Sequence, residues 1–488
     1  MRAVTMGRDH GDLFLDGVFR HGLSGETSTV LEKATGERIA QVALANEFDV
    51  DAAVRSAETA QAAWALTSGA ERSRILRSAG RALEERANEF ADCLVRETGG
   101  IRAKGLYEIR TAIAYLHEAA SLATRAVGEI LATADPERFN TVTRKPMGVV
   151  AVITPWNLPL LLALKSISPA IALGNSVVLK PAPSTPVVGG LLIAELFAAA
   201  GLPPGVLNVV PGGDAAGVAL VAHARVDMIH FTGSTQAGRR IAETAGGQLK
   251  RVALELGGNN ALVVLDDADP GTASMVGAWS SFHYQGQTCI SAGRHIVARA
   301  LFDEYVQLLA NRAHSITVGD PAREEVGLGP MISEQQRDRA HAMLRKSIDM
   351  GARVVEGGTY EGLFYRPTVV VDVTPEMPIY TEEIFAPIAP VVAADSDAHA
   401  LELVNGTPYG LSSSVLSTDV WRARRFAARV KSGMVHVNET TCLAEANVPF
   451  VGTGISGLGP GVGGDASIEQ FTERQWISVR QTPPQYMY

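Results

Sequence analysis

The chain is predicted to be an α/β protein, with two doubly wound α/β domains in tandem and a small β arm outside them. Three observations predict this. Short apolar strands alternate with helical segments from residue 147 onward, the pattern of a parallel sheet covered on both faces. A second alternation of the same kind begins after Gly258. Two stretches, 138–144 and 475–480, alternate polar and apolar residues and belong to neither series.

The first third is helical. Val50, Ala53, Val54 and Ala57 follow the spacing of one helix face. A second run carries Ile75, Leu76, Leu83, Phe90 and Leu94 and stops at Gly99-Gly100. A third begins near Tyr107 with Ile109, Ile113 and Leu116. The first βα series then has buried strands at 149–153, 176–179, 206–210 and 228–231, with helices at 158–167 and 187–200. Its crossovers should be right-handed. The second series opens with a strand at 261–265. Asp269-Pro270 then reads as an N-cap followed by proline at the first helical position. A helix at 272–283 ends at Gly286, and helix 301–315, strand 369–373 and helix 421–430 follow. The join between the series, near Gly257-Gly258, is short. The two amphipathic stretches would be exposed edges, so they are expected to pair with each other and with another subunit.

Composition excludes several classes. A length of 488 residues favours two to four folding units, each able to bury a core without disulfides or metals. The net charge of −9 argues against a nucleic-acid partner. Cys93, Cys289 and Cys442 are too few and too scattered for a disulfide framework or a zinc cluster, so no metal is expected and a reducing cytoplasm fits best. Arg8, Asp9, His10 and Asp12 stand where a signal peptide would need an apolar core. The most apolar stretch, 147–164, is interrupted by Pro155, Asn157 and Pro159, so no membrane span is expected.

Three residues stand out chemically. Cys289, in Gln285-Gly286-Gln287-Thr288-Cys289, follows a helix on a loop. A lone cysteine there is either a packed thiol or a reactive one. Glu255 lies between two leucines before paired glycines. It is either a buried general base or an acid paired with a basic residue. Asn157 follows the strand ending at Ile153, where α/β sheets bind ligands. Its amide either donates to a developing oxyanion or serves the turn.

These residues lie within five ordered motifs: Thr154-Pro155-Trp156-Asn157, Phe231-Thr232-Gly233-Ser234-Thr235, Leu254-Glu255-Leu256-Gly257-Gly258, Gly286-Gln287-Thr288-Cys289 and Glu382-Glu383-Ile384-Phe385-Ala386-Pro387. With these motifs the chain resembles the NAD(P)-dependent aldehyde dehydrogenase superfamily over nearly its whole length. Within it, Gly257-Gly258-Asn259-Asn260-Ala261, Ser291-Ala292-Gly293-Arg294-His295 and the tail around Trp476 are most similar to the benzaldehyde and vanillin dehydrogenase group. The resemblance implies a Rossmann-like cofactor domain (1–123 and 147–257), a catalytic domain (258–457), and an oligomerisation arm and tail (124–146 and 458–488) in a homodimer or homotetramer.

The resemblance also implies roles. Cys289 would attack the aldehyde, Asn157 would hold the oxyanion and Glu255 would activate water. Relatives that transfer the acyl group to coenzyme A lack that acid, so hydrolysis is expected. NAD or NADP would lie along Ile153, Thr154, Pro155 and Trp156, with Phe231, Thr232, Gly233 and Ser234 at the diphosphate. Lys180 would reach the adenosine ribose, Glu383 would hold the nicotinamide ribose and Phe385 would pack near the nicotinamide, with Ala182, Pro183, Ser184, Gly213, Gly217 and Leu256 as further cofactor contacts. In many NAD-specific relatives an acid stands where this chain has Pro183, so NADP is expected to be tolerated. Many relatives also have Gly for Val451 and Lys for Gly454, near the substrate mouth.

The aldehyde pocket would be lined by Leu158, Leu162, Lys165, Thr288, Ile290, Cys442 and Phe450, which suits an aromatic ring. Lys165 either meets a polar ring substituent or packs its stem while its ammonium reaches water. Cys442 is either a second pocket thiol or a packed one.

Overall fold

A computed structural model describes residues 9, 10, 12–125 and 128–487. Residues 1–8, 11, 126, 127 and 488 lie outside it, including Arg8 of the N-terminal reading and parts of the outer expected segments.

Four helices, Glu47–Leu66, Gly69–Glu85, Ala87–Thr98 and Arg102–Leu122, fill residues 47–122, but the first third is not all helical: strands at Asp12–Leu15, Val18–His21, Thr27–Leu31 and Arg38–Ala43 precede them. Asn46 and Asp49 cap the first reciprocally, and Val50, Ala53, Val54 and Ala57 are fully buried as their spacing predicts. The run expected to be continuous through Phe90 is two helices that break at Arg86. Residues 82–89 contain no Gly or Pro, so nothing in the local sequence marks the break. Arg86 instead bonds Glu89 and Glu195 across it. Gly99 ends the third helix at φ +74°, a conformation that favours glycine. The fourth starts at Arg102, earlier than its apolar spacing indicates.

The first sheet has eight strands. Its five central members are, in spatial order, Arg251–Glu255, Met228–Thr232, Val149–Ile153, Ser176–Lys180 and Leu207–Val209, all parallel. The chain begins in the middle strand, winds one way, then returns to the other side. The order therefore reverses between Val149–Ile153 and Met228–Thr232, and the carboxyl ends of those two strands open a crevice. Val150 and Val152 face one core and Val149, Ala151 and Ile153 the other, so the sheet is covered on both sides. A short strand, Gly457–Leu458, returns late in the chain to pair antiparallel with Leu254 and Glu255.

The second sheet has seven strands, running from Arg353–Glu356 through Thr368–Val371, Ile388–Ala394, Ala292–Ala298, Asn260–Val264 and Ser412–Leu416 to Met434–Val437. Only Arg353–Glu356 runs antiparallel to its neighbour. Glu255 ends a strand of the first sheet and Asn260 begins one of the second. The carboxyl edge of one sheet is thus tied directly to the amino edge of the other.

The two amphipathic stretches pair with each other. Arg138–Pro146 lies antiparallel to Thr472–Arg480, with Trp476 opposite Val142, and Gly128–Leu131 adds a third strand. Ile130, Phe139, Trp476 and Val479 are each at least half exposed on this arm. Among the described residues no helix is long and apolar enough to cross a membrane.

Candidate active site

Glu255 occupies the last position of its strand and is 6% exposed. The paired glycines after it are required by close approach. A Cβ on Gly257 would collide with the Glu383 carboxylate, and one on Gly258 would come within 2.6 Å of the Cys289 carbonyl oxygen. The Gly258 N–H donates to Glu383 Oε1 at 2.9 Å. Asn260 then fixes the cysteine loop: its Nδ2 donates to the carbonyls of Cys289 (2.8 Å) and Ser291 (2.7 Å). The helix before that loop is Pro270–Phe282, capped by Asp269 as expected, and a tight turn over His283–Gly286 delivers the chain to Cys289.

Asn157 is placed by a buried ion pair. Lys104 Nζ lies 2.7 Å from Glu108 Oε2 and donates to the Asn157 carbonyl at 2.9 Å. Glu108 Oε1 accepts from the N–H groups of Leu160 (2.9 Å) and Leu161 (3.1 Å). It thereby caps helix Pro159–Ala172, whose own N-cap residue, Leu158, offers no side-chain acceptor. The Asn157 Oδ1 atom is buried without a hydrogen-bond partner.

Two cavities meet at Cys289. The first is a cleft of about 400 Å³ at the crevice between the reversing strands. Pro155, Trp156, Thr232, Gly233, Ser234, Leu256, Glu383 and Phe385 line it, together with Asn157 and Glu255. Trp156 and Phe385 meet edge to face across 5.4 Å. A Cβ on Gly233 would run into the Phe231 ring, and helix Thr235–Gly246 points its N-terminus at the cleft behind its N-cap, Ser234. This cradle, with amide groups presented at a helix start, fits the diphosphate of a dinucleotide. Lys180 lies farther along the sheet edge, where its ammonium donates to the carbonyls of Pro181 (3.1 Å) and Gly212 (3.0 Å). Burial lowers it to about 8. A Cβ on Gly217 would touch the Lys180 stem at 3.5 Å, and one on Gly213 would meet nothing within 4 Å. Ile153 and Thr154 are buried beside the cleft, and Ala182 is buried while Pro183 is exposed.

The second cavity is a slot of about 40 Å³. All seven residues expected for the pocket line it: Leu158, Leu162, Lys165, Thr288, Ile290, Cys442 and Phe450. Sequence reasoning missed most of its aromatic wall, which also includes Tyr107, Tyr115, His283 and Tyr284. The signal for two of these was available: Tyr107 and Tyr115 lie eight apart, on one face of helix Arg102–Leu122. His283 stacks on Tyr284 at 3.7 Å. Tyr107 also borders a wide surface basin that carries Arg110. In the cleft, Gln336, Arg339 and Tyr409 were likewise missed. Gln336 donates to the Phe385 carbonyl and Arg339 to that of Glu383, and so they hold that loop.

Lys165 and Cys442 both line the slot, and their partners are defined. The Lys165 ammonium does not reach water: the side chain is 4% exposed, its Nζ 3.6 Å from Glu255 Oε2 and 3.6 Å from the Phe450 ring centre. Glu255 is thus both within the site and paired with a base. The Cys442 thiol is packed and donates to the carbonyls of Ile290 (3.5 Å) and Ser280 (3.6 Å).

Burial dominates the electrostatics. It pushes the Cys289 thiol up to about 12, reinforced by Glu383 and opposed by Lys165. Glu383 rises to about 7 through burial, opposed by the Gly258 N–H. Burial raises Glu255 and lowers Lys165, and their mutual attraction opposes both shifts.

A thiol shared by a cleft with a diphosphate cradle and a small, mainly apolar slot, on tandem doubly wound sheets, fits a cofactor-dependent oxidoreductase with a cysteine at its centre. Comparison with known proteins identifies the class more closely. The sequence profile of the aldehyde dehydrogenase family matches residues 19–477, and the chain belongs to that family. It is 47% identical over 464 residues to a benzaldehyde dehydrogenase [NAD(+)] of Pseudomonas putida, covering 95% of each chain. It is 46% identical to a vanillin dehydrogenase of an Amycolatopsis species, covering 94% of each. The fold superposes with a TM-score of 0.95 on a salicylaldehyde dehydrogenase from Pseudomonas putida G7 complexed with salicylaldehyde, at 33% identity, covering 99% of this chain and 100% of that one.

Proposed function

We propose that the chain oxidises aromatic aldehydes to carboxylic acids with NAD or NADP, through a thioester on Cys289. The observation that carries this reading is the slot: small and walled mainly by aromatic and aliphatic side chains, with Cys289 among the residues that line it. A flat ring entering it buries both faces against Leu, Tyr and Phe side chains. The names of the relatives described above support the same substrate class.

Cys289 Sγ attacks the carbonyl carbon. The Asn157 side-chain amide donates to the resulting oxyanion, a contribution of roughly 10²–10³ in rate for comparable donors. A nicotinamide bound in the cleft would supply the acceptor for the hydride that leaves as the oxyanion collapses. Glu383 and Phe385 would hold that end of the cofactor, Ser234 and Gly233 its diphosphate, and Lys180 its adenosine ribose. Glu255 then takes a proton from water, whose oxygen attacks the thioester carbon. The C–S bond breaks, the electron pair stays on sulfur, and the acid leaves. Because Pro183 offers no carboxylate to repel a 2′-phosphate, NADP is accepted as well as NAD. The apolar strands of the arm, exposed in the single chain, bridge subunits of a homo-oligomer.

A panel of benzaldehyde, vanillin, hexanal and succinic semialdehyde, each with NAD and with NADP, tests this. Benzaldehyde or vanillin should give the highest kcat/KM, and Cys289→Ala should abolish NAD(P)H formation, on the order of 10⁴-fold or more. A preference for hexanal or the semialdehyde overturns the substrate class. NADP more than about a hundredfold worse than NAD (roughly 2.7 kcal/mol) overturns the cofactor reading.

A further inference from the structure

Lys165 reaches the site from helix Pro159–Ala172, and two features of its surroundings are unusual for a lysine. Its side chain and that of Glu255 are both at least 94% buried, at 4% and 6% exposure. The two charges stand 3.6 Å apart, close enough to attract strongly but at the outer edge of hydrogen-bond reach, and Glu255 Oε2 accepts no hydrogen bond within 3.5 Å. The face of the Phe450 ring, 3.6 Å from Nζ, stabilises the ammonium where water does not reach it.

This spacing has a chemical consequence. A lysine donating directly to the carboxylate would occupy a lone pair that a base needs. At 3.6 Å the ammonium favours the ionised carboxylate and holds its direction, yet leaves Oε2 open to a water molecule. We propose that Lys165 is a positioning residue for thioester hydrolysis, acting through Glu255 rather than through the aldehyde. The inference rests on the reading of Glu255 as the base. In the step concerned, Glu255 removes one proton from water and the water oxygen bonds to the acyl carbon. The C–S bond breaks with its electron pair on sulfur. The proton held by Glu255 passes to that sulfur, so one water is consumed and one carboxylic acid released.

Acylation and hydrolysis are separated by single-turnover kinetics on the full-length enzyme with benzaldehyde. In Lys165→Met, one NAD(P)H per Cys289 should form in a burst, and the following steady rate should fall roughly 10- to 100-fold, part of the 10²–10⁴ that general-base assistance supplies. The midpoint of its pH–rate profile should move to higher pH, because the carboxylate has lost its counter-ion. Lys165→Arg should restore most of the steady rate. Should the methionine variant not fold, Lys165→Gln is read by the same ratio of burst to steady rate. Glu255→Gln provides the independent arm: it should give a full burst and a slow phase. If Glu255→Gln instead turns over at the parent rate, both readings fall. If Glu255→Gln behaves as expected while Lys165→Met keeps the parent steady rate, or loses burst and steady rate together, only the role of Lys165 is overturned. A change confined to the ranking of hydroxylated against plain benzaldehydes also overturns it and makes Lys165 a substrate contact.

Discussion

The two cavities share Cys289 and Leu162 and are otherwise walled by different parts of the polypeptide. The cleft is largely a backbone construction. A strand-order reversal opens it, a helix N-terminus faces it, and Gly233 and Gly257 leave room that any side chain would fill. The slot is a side-chain construction, with Tyr107 and Tyr115 from one helix, Leu158, Leu162 and Lys165 from the start of another, and Tyr284 and Phe450 from separate turns. A backbone cradle is determined by a few contiguous residues and tolerates little change. A side-chain wall is assembled from distant segments and can be remodelled one residue at a time. Cofactor binding and aldehyde choice should therefore respond separately to substitution.

Glu108 offers the severest challenge to that separation, because it supports both cavities. It pairs with Lys104, which holds the Asn157 carbonyl beside the cleft, and it caps the helix whose first turns wall the slot. Breaking a buried pair by removing one partner costs about 3–5 kcal/mol. Glu108→Ala should lower stability to urea by that amount and reduce kcat for every aldehyde alike. If stability falls but turnover does not, Asn157 is held by other contacts.

A crossed pair of substitutions gives the next largest effect. Gly257→Ala drives a methyl group into the Glu383 carboxylate and should raise the KM for NAD or NADP at least about tenfold, leaving the ranking of aldehydes unchanged. Phe450→Ala removes an aromatic wall and should shift kcat/KM between small and bulky aldehydes by roughly 10–200-fold, the range for changes in an apolar pocket. Cofactor KM should stay near its parent value. Steady-state kinetics with each ligand varied in turn would show whether the effects cross over.

The same contrast explains what could be read from the amino acids alone. Where a strand of either sheet is a clean apolar run between turn residues, as at 149–153 or 228–231, it was found to within two residues; more than half of the strands, such as Ala292–Ala298 and Ser412–Leu416, mix in polar residues or lie outside a clear alternation and were not read. Cap signals such as Asp269-Pro270 and Gly99 are local and were read correctly. The motifs lining the cleft are contiguous, and they come together there. The break at Arg86 carries no glycine or proline and is sustained by Glu195, 109 positions away. The Lys104–Glu108 support was equally hidden: the i, i+4 spacing is ordinary, and only the fold brings the pair under Asn157. Phe385 adopts φ +56°, which no pattern of side chains announces. Lys165 illustrates the limit most clearly. Its helix face was correct, but its partner, Glu255, lies 90 positions away on a strand of the first sheet.

The smallest effect concerns the two sheets beneath the cavities, each of which buries one neutral histidine. His230 lies two register positions back from Glu255, since Thr232 pairs with Glu255 and His230 with Ala253. Its ring stacks on Phe471, and neither nitrogen has a hydrogen-bond partner. His295, in the second sheet, bonds Ser281 and Tyr305, each at 2.6 Å. Burial holds both near 3, with Lys165 adding to the effect on His230. An unfolded histidine takes up a proton near 6.5, so between about 3 and 6.5 the unfolded chain binds the extra proton. Each histidine therefore stabilises the fold fully above pH 6.5 and loses that contribution as pH falls, by about 1.4 kcal/mol per pH unit. Urea unfolding at pH 7 and pH 5 should show this slope for the parent chain and a slope smaller by one proton in His230→Phe. His295→Phe should show the same reduction but lower stability at pH 7 as well, because it strands the buried Tyr305 hydroxyl, while Ser281 keeps its bond to the Ala292 carbonyl. An unchanged slope in His230→Phe would mean that this ring is protonated in the fold, and that a buried cation beside Lys165 is tolerated behind Glu255.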